Sequence, residues 1–187
     1  MKKIATHNSA TGERAGNVIS KIFSIFAKCQ SKSLVEQWVN GCRLFDIRIR
    51  KHKDNWYCYH GLWRTKHTVN TLLNTLNTFA ASDFYNKTYI MITYEGHKDS
   101  KDIEEFLMVC DSLKEKNKNI VFGDFSAKYP WVKLAEGEPI PFLSVKRFKA
   151  LDGTNLCFLL PIPILWKQFF YKHVDFDNET FKFVDFL

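Results

Sequence analysis

Two histidines and one arginine in this sequence have the side chains that phosphate chemistry needs. His7 and His60 each close a short strand-like run, and Arg48 lies within a third. Because imidazole titrates near neutral pH, one ring can take a proton from an attacking hydroxyl while the other protonates a leaving oxygen. Arginine adds a permanent charge whose fork matches a phosphate. These residue types indicate phosphodiester cleavage, although the same types also occur as incidental core or surface residues.

The elements that must position these residues alternate between strands and helices. Predicted strands cover residues 2–6, 42–50, 56–61, 89–94, 120–122, 156–160 and 181–187. Predicted helices cover one or two segments between residues 17 and 40, then 68–81, 102–116 and a short piece at 164–171. Alternation along 42–50 places Asp46 and Arg48 on one face of their strand.

This alternation of strands and helices predicts an α/β fold with a largely parallel sheet. Polar residues recur where strands end, which in a (β/α)8 barrel is the catalytic face. Such barrels typically need about 250 residues, and the chain has 187. The predicted architecture is therefore a compact or incomplete TIM-type barrel that forms a single domain over residues 1–187.

Composition limits the partners and the cellular setting. The formal net charge of +7 favours anionic partners. The five cysteines are scattered singly, which argues against a zinc site or a disulfide framework and predicts reduced, mostly buried thiols. No run is apolar enough for a transmembrane helix or an export signal, so we expect a cytoplasmic or non-classically delivered protein.

Five short stretches contain the histidines, the arginine and their neighbours in a recognisable order. They are Ala5–Ser9, Gly41–Arg48, Tyr59–Gly61, Ile90–Glu95 and Phe183–Phe186. In order and spacing they resemble the catalytic blocks of the phosphatidylinositol-specific phospholipase C X domain. The sequence between the blocks is not recognisable.

The resemblance implies a role for each matching residue. His7 matches the general base on the inositol 2-hydroxyl, and His60 matches the general acid for the diacylglycerol oxygen. Asp185 matches the carboxylate that orients the base, while Asp46 and Arg48 match the catalytic centre. The implied products are a cyclic inositol phosphate and diacylglycerol. The implied partner is a phospholipid rather than nucleic acid, with peripheral membrane contact.

The resemblance leaves the metal open. Asn8, Asp46 and Glu95 match calcium ligands of the eukaryotic branch, and Glu95 also matches a substrate-binding position. Arg48 stands where that branch has an acid and matches the bacterial metal-independent branch, since a guanidinium cannot bind calcium. We expect no cofactor, with calcium as the alternative.

Other aromatic residues and histidines receive structural interpretations. Trp131, Trp166 and Phe169–Phe170 are expected in the core, with a membrane-contacting rim as the alternative. The remaining histidines, His52, His67, His97 and His173, are expected at the surface.

Two other functions stay open at this point. One is glycerophosphodiester cleavage, although the blocks typical of that family are absent. The other is a catalytically silent binding or structural protein of the same fold, for which a viral origin is one setting. Retention of both histidines, Arg48 and Asp185 argues against the silent protein.

Overall fold

The computed structural model of the protein describes residues 3–96, 100–125, 132–133, 173–176 and 179–184. Several predicted features lie outside these residues. They are Asp185, His97, Cys157, Trp131, Trp166, Phe169–Phe170 and the elements predicted at 156–160 and 164–171.

The described strands form one mixed sheet with a parallel centre, and a separate small pair. They are β1 (Lys3–Thr6), β2 (Cys42–His52), β3 (Asn55–His60), β4 (Trp63–Thr68), β5 (Thr88–Tyr94), β6 (Ile120–Phe122), β7 (Asp124–Phe125), β8 (Val132–Lys133), β9 (His173–Phe176) and β10 (Glu179–Val184). The pairs β10–β1, β1–β2, β2–β5 and β5–β6 are parallel. The pairs β2–β3, β3–β4, β9–β10 and β7–β8 are antiparallel.

The helices lie mainly between the parallel strands. They are a 3-10 helix (Ser9–Gly12), α1 (Val18–Ile22), α2 (Ser24–Ala27), α3 (Leu34–Val39), α4 (Val69–Ala80) and α5 (Ser100–Lys116). The α/β class is therefore confirmed. Within the described part of the chain the sheet does not close on itself, so a TIM-type barrel, complete or incomplete, stays a prediction.

The core lies where β2 and β5 meet α4 and α5. Alternate residues of the two strands point to this side, and they pack with the apolar stripes of the helices. The buried strand residues on this side include Phe45, Ile47, Ile49, Ile90 and Ile92. The opposite face of β2 is left for Asp46 and Arg48, which are buried as well.

The pairing of β2 brings the two histidines together. At Ile49, β2 pairs with β5 on one edge and with β3 on the other, so β3 lies on the edge that β1 occupies further down. β1 runs up this edge to Thr6, opposite Phe45. The antiparallel β3 runs down the same edge. His7 and His60 therefore meet where the two strand ends face each other.

The structure confirms that His60 ends its strand, since β3 covers Asn55–His60. β3 is antiparallel to β2, so it reaches the site from the direction opposite to β1. The polar turn at residues 53–54 folds β3 back along β2, and this return places His60 at the level of the site. β4, which the sequence pattern did not predict, extends the same antiparallel unit.

No helix within the described residues has the length and apolar character needed to cross a membrane.

The cysteines of the described chain are buried thiols that form no disulfide with one another. They are Cys29, Cys42, Cys58 and Cys110. Burial raises the pKa of the Cys42 thiol to about 12, and it also raises the pKa values of Cys58 and Cys110. The predicted reduced, buried thiols are confirmed for these four residues.

Two carboxylates at the start of α3 have opposite electrostatic surroundings. Glu36 forms a capping box with Ser33, and hydrogen bonds from the Ser33 side chain and backbone lower the pKa of Glu36. Glu13 accepts a hydrogen bond from the Leu34 backbone N–H at 2.8 Å. Burial nevertheless raises the pKa of Glu13 above its ordinary value of 4.5, because desolvation outweighs that hydrogen bond.

We predict that Glu13 makes stability fall as pH rises above 4.5. In this window the folded protein keeps a proton that the unfolded chain releases, so the free energy of unfolding decreases with pH. Glu13→Gln should remove the effect. Its free energy of unfolding minus that of the wild type should therefore increase from pH 4.5 towards neutrality, as measured by urea unfolding at a series of pH values.

Glu36→Gln is the matched control. Because its folded-state pKa is lowered, Glu36 contributes stability above its unfolded pKa and loses that contribution as pH falls. The difference curve for Glu36→Gln should therefore slope in the opposite direction. Curves of the same sign for the two variants would contradict the assignment.

Candidate active site

The first part of the site is the turn that follows β1. His7 and Asn8 are both buried, and Asn8 has a φ of 46°, in the left-handed region that asparagine tolerates better than most residues. The Asn8 backbone N–H donates to Asp46 Oδ2 at 3.2 Å. Gln30 holds the same turn from the other side, since its Nε2 donates to the His7 carbonyl at 3.1 Å.

Arg48 lies at the centre of the site. Its Nη2 is 3.2 Å from His7 Nε2, and its Nη1 is 3.7 Å from Glu95 Oε2. Asp46 Oδ2 is 3.8 Å from the same His7 nitrogen. A buried guanidinium needs nearby negative charge. Glu95 supplies it directly, and Asp46 adds a second carboxylate near the His7 nitrogen that Arg48 contacts.

The surroundings define the tautomer of His7. Arginine has only donors, so the His7 Nε2 that contacts Arg48 must present its lone pair. The proton of the neutral ring is then on Nδ1. Nε2 is therefore the atom that can accept a proton.

His60 is held at both ring nitrogens. Its Nδ1 is 2.7 Å from the Ala27 carbonyl oxygen, which only accepts, so Nδ1 carries a proton. Its Nε2 is 3.4 Å from Asn8 Nδ2. The backbone of α2 therefore orients the ring and directs Nε2 towards Asn8.

Asn8 connects the two histidines. Its side-chain nitrogen contacts His60 Nε2 and donates to Cys29 Sγ at 3.4 Å. Its Oδ1 is buried and accepts no hydrogen bond from the described residues. If the amide turns over, this oxygen can accept a hydrogen bond from His60 Nε2–H when that ring is fully protonated.

Glu95 joins Arg48 to the turn after His60. Its Oε1 accepts a hydrogen bond from the Gly61 backbone N–H at 3.1 Å, while its Oε2 faces Arg48. Gly61 has a φ of 58°, which favours glycine. One carboxylate thus holds both the cation and the end of β3.

The structure brings together six of the seven residues predicted for the site. These are His7, Asn8, Asp46, Arg48, His60 and Glu95; Asp185 lies outside the described residues. The predictions missed the Ala27 carbonyl and Gln30. A backbone carbonyl has no sequence signature, and Gln30 lies in a segment where the predicted helix only appeared broken.

The predicted calcium ligands fit the ion poorly. Arg48 places one guanidinium nitrogen near Glu95 and the other near His7, so a cation among Asn8, Asp46 and Glu95 would be repelled. Within the described ranges, no three His, Cys, Asp or Glu side chains cluster as metal ligands do. In favour of a hard cation, Asn8 Oδ1 is a buried oxygen that accepts no hydrogen bond from the described residues.

Comparisons with known proteins point to one family. The model of the phosphatidylinositol-specific phospholipase C X domain matches residues 5–119, which is more than half of the chain. A search of curated protein sequences gives no match.

Solved structures match the chain at low sequence identity. Phosphatidylinositol-specific phospholipase C from Listeria monocytogenes is 16% identical with a TM-score of 0.52, over 72% of this chain and 58% of that one. A mutant of the Staphylococcus aureus enzyme is 17% identical with a TM-score of 0.49, over 73% and 53%. The chain thus spans little more than half the length of these enzymes.

We predict that the neutral rings of His7 and His60 both carry their proton on Nδ1. Long-range 1H–15N NMR of histidine-labelled protein should show protonated Nδ1 and unprotonated Nε2 for His7 and His60. The exposed His52 serves as the internal reference for a ring outside the site. An Nε2–H signal from His7 would contradict the contact with Arg48.

Proposed function

This chain belongs to the family of the phosphatidylinositol-specific phospholipase C X domain, and on that basis we propose that it cleaves phosphatidylinositol or a related inositol phospholipid. The observation that carries the proposal is the contact of Arg48 with His7, beside a second histidine oriented by the backbone. An acid, a base and a phosphate-binding cation are thus within one small space. Phosphodiester cleavage needs these three groups.

His7 acts as the general base in the proposed mechanism. Its Nε2 takes the proton of the inositol 2-hydroxyl, whose oxygen attacks phosphorus. Asp46, 3.8 Å from the same nitrogen, stabilises the imidazolium that forms. Asp185 is proposed to orient this ring through Nδ1, as the family resemblance implies.

His60 acts as the general acid. With Nδ1 held by the Ala27 carbonyl, the protonated ring directs its Nε2–H at the glycerol oxygen, which leaves with the proton as diacylglycerol. The phosphorus stays with the inositol, and the second product is the 1,2-cyclic inositol phosphate. The first step is therefore a lyase reaction. The proposed scaffold is a compact or incomplete TIM-type barrel.

Arg48 offsets the charge that develops on the non-bridging oxygens. Its Nε is buried and has no acceptor among the described residues, so the guanidinium keeps a donor for an anion. Glu95 positions the guanidinium through the 3.7 Å contact between Glu95 Oε2 and Arg48 Nη1. We propose that this fixed cation makes the reaction independent of metal.

We expect His7→Ala and His60→Ala each to lower turnover of phosphatidylinositol by about 10² to 10⁴, the usual contribution of a general acid or base. Turnover is measured as the release of the cyclic inositol phosphate from mixed micelles. His52→Ala and His67→Ala are matched controls, because both histidines are exposed and should leave turnover unchanged. Cleavage that survives both site substitutions, or cleavage of glycerophosphodiesters alone, would refute the assignment. Cleavage of neither substrate by the wild type would favour the silent binding protein.

A second prediction concerns the cation. Arg48→Ala should lower turnover about 10²- to 10³-fold, because it removes a preorganised charge at the developing oxyanion. Lysine at this position keeps the charge without the fork, so Arg48→Lys should recover only part of the activity. Adding a calcium chelator to the wild type should change nothing. Loss of turnover with chelator would overturn the metal-independent mechanism.

A further inference from the structure

Thr11 lies in the 3-10 helix shortly after His7, and its side chain is 2% exposed. Its Oγ1 donates to the Asn8 carbonyl at 2.7 Å, and it accepts from the backbone N–H groups of Cys29 at 2.9 Å and Gln30 at 3.2 Å. A hydroxyl has one donor and two acceptor positions, so all positions of this hydroxyl are occupied. Thr11 can therefore act on the site only through the residues that it holds.

The segment that this hydroxyl holds contacts both histidines. The Ala27 carbonyl accepts from His60 Nδ1 at 2.7 Å, and Gln30 Nε2 donates to the His7 carbonyl at 3.1 Å. Only two residues separate Ala27 from Gln30 in the chain. Residues 27–30, which we call the bridging segment, therefore connect the position of the base to the position of the acid.

The Thr11 hydroxyl is the most rigid of the links between the bridging segment and the turn after β1. Asn8 Nδ2 donates to Cys29 Sγ at 3.4 Å, and a sulfur atom accepts hydrogen bonds only weakly. Gln30 reaches the turn through a long side chain with several rotamers. Threonine is short and stiff at χ1. Its hydroxyl therefore joins the backbone of the turn to the backbone of the bridging segment over a fixed distance.

We propose that Thr11 positions the acid-base pair through the bridging segment. The inference rests on the proposed function and deepens it, since it names the group that fixes the base relative to the acid. His7 and His60 must both be placed correctly on one phosphodiester. A misplacement of about 1 Å can lower the rate on the order of 10²-fold, even when its cause lies away from the reacting atoms.

The test compares Thr11→Val with Thr11→Ser. Valine keeps the shape of the side chain without the hydroxyl, whereas serine keeps the hydroxyl. Thr11→Val should lower kcat for a water-soluble inositol phosphodiester on the order of 10²-fold. KM should change little, because the substitution leaves the groups that bind the substrate intact. Thr11→Ser should retain most of the wild-type turnover.

Thr88→Val is the matched control. Thr88 is also buried, and its hydroxyl accepts from Trp38 Nε1 at 2.9 Å, but it begins β5 at the end of the strand away from the site. Thr88→Val should lower the free energy of unfolding and leave kcat unchanged. Gln30→Leu removes the neighbouring link to His7 and should also lower kcat. If Thr11→Val does not fold, Gln30→Leu decides the test, and an unchanged kcat in that variant overturns the proposal.

A readout that does not depend on turnover separates this proposal from the proposed function. In 1H–15N NMR of histidine-labelled protein, Thr11→Val should shift the ring signals of His7 and His60, and Thr88→Val should leave them in place. Shifted signals with a loss of kcat that Thr11→Ser restores support the positioning role. Unshifted signals, an equal loss of kcat in Thr88→Val, or no recovery in Thr11→Ser overturns it. A wild type that cleaves no substrate refutes the proposed function, and the ring signals alone then decide the positioning role.

Discussion

The shared edge of β2 is the constraint on which the site depends. β1 and β3 approach each other end to end along that edge, one parallel and the other antiparallel to β2. At their meeting point His7 contacts Arg48 of β2, and His60 contacts Asn8, the residue that follows His7. Asp46 and Arg48 project there because the core packing of Ile47 and Ile49 determines the phase of the strand. Hydrophobic burial on one side of β2 thus orients the charges on the other.

Arg48 is where the electrostatics of the site concentrate. A buried guanidinium is costly unless it is paired and hydrogen-bonded, and here the compensation comes from groups that also have mechanistic positions. Glu95 offsets its charge and also binds the Gly61 N–H. Asp46 faces His7 and also accepts from the Asn8 backbone. Each carboxylate therefore combines charge compensation with control of a histidine-bearing turn, so the cation and the acid-base pair are positioned by the same contacts.

Local patterns in the sequence predicted many of the strands and helices but less of the way in which the strands pair. Alternation along residues 42–50 predicted β2 and the shared face of Asp46 and Arg48, and helical spacing predicted α4 and α5, because these signals are contained in single segments. β4 was missed, since its burial depends on pairing with β3 rather than on its own alternation. The residue types and the five short stretches that contain them predicted that the histidines and Arg48 belong to the site. The Ala27 carbonyl that orients His60 could not be predicted, because the contact is non-local and any residue supplies a carbonyl.

The buried thiols can report on local unfolding of the protein. The thiolate is the reactive form of cysteine, and burial suppresses it at Cys42, Cys58 and Cys110. These cysteines lie in β2, β3 and α5, so each belongs to a different structural element. A thiol reagent can modify one of them only while its element is transiently open. Labelling rates resolved by peptide would therefore rank the local stabilities of the sheet, the hairpin and the helix without any engineered probe.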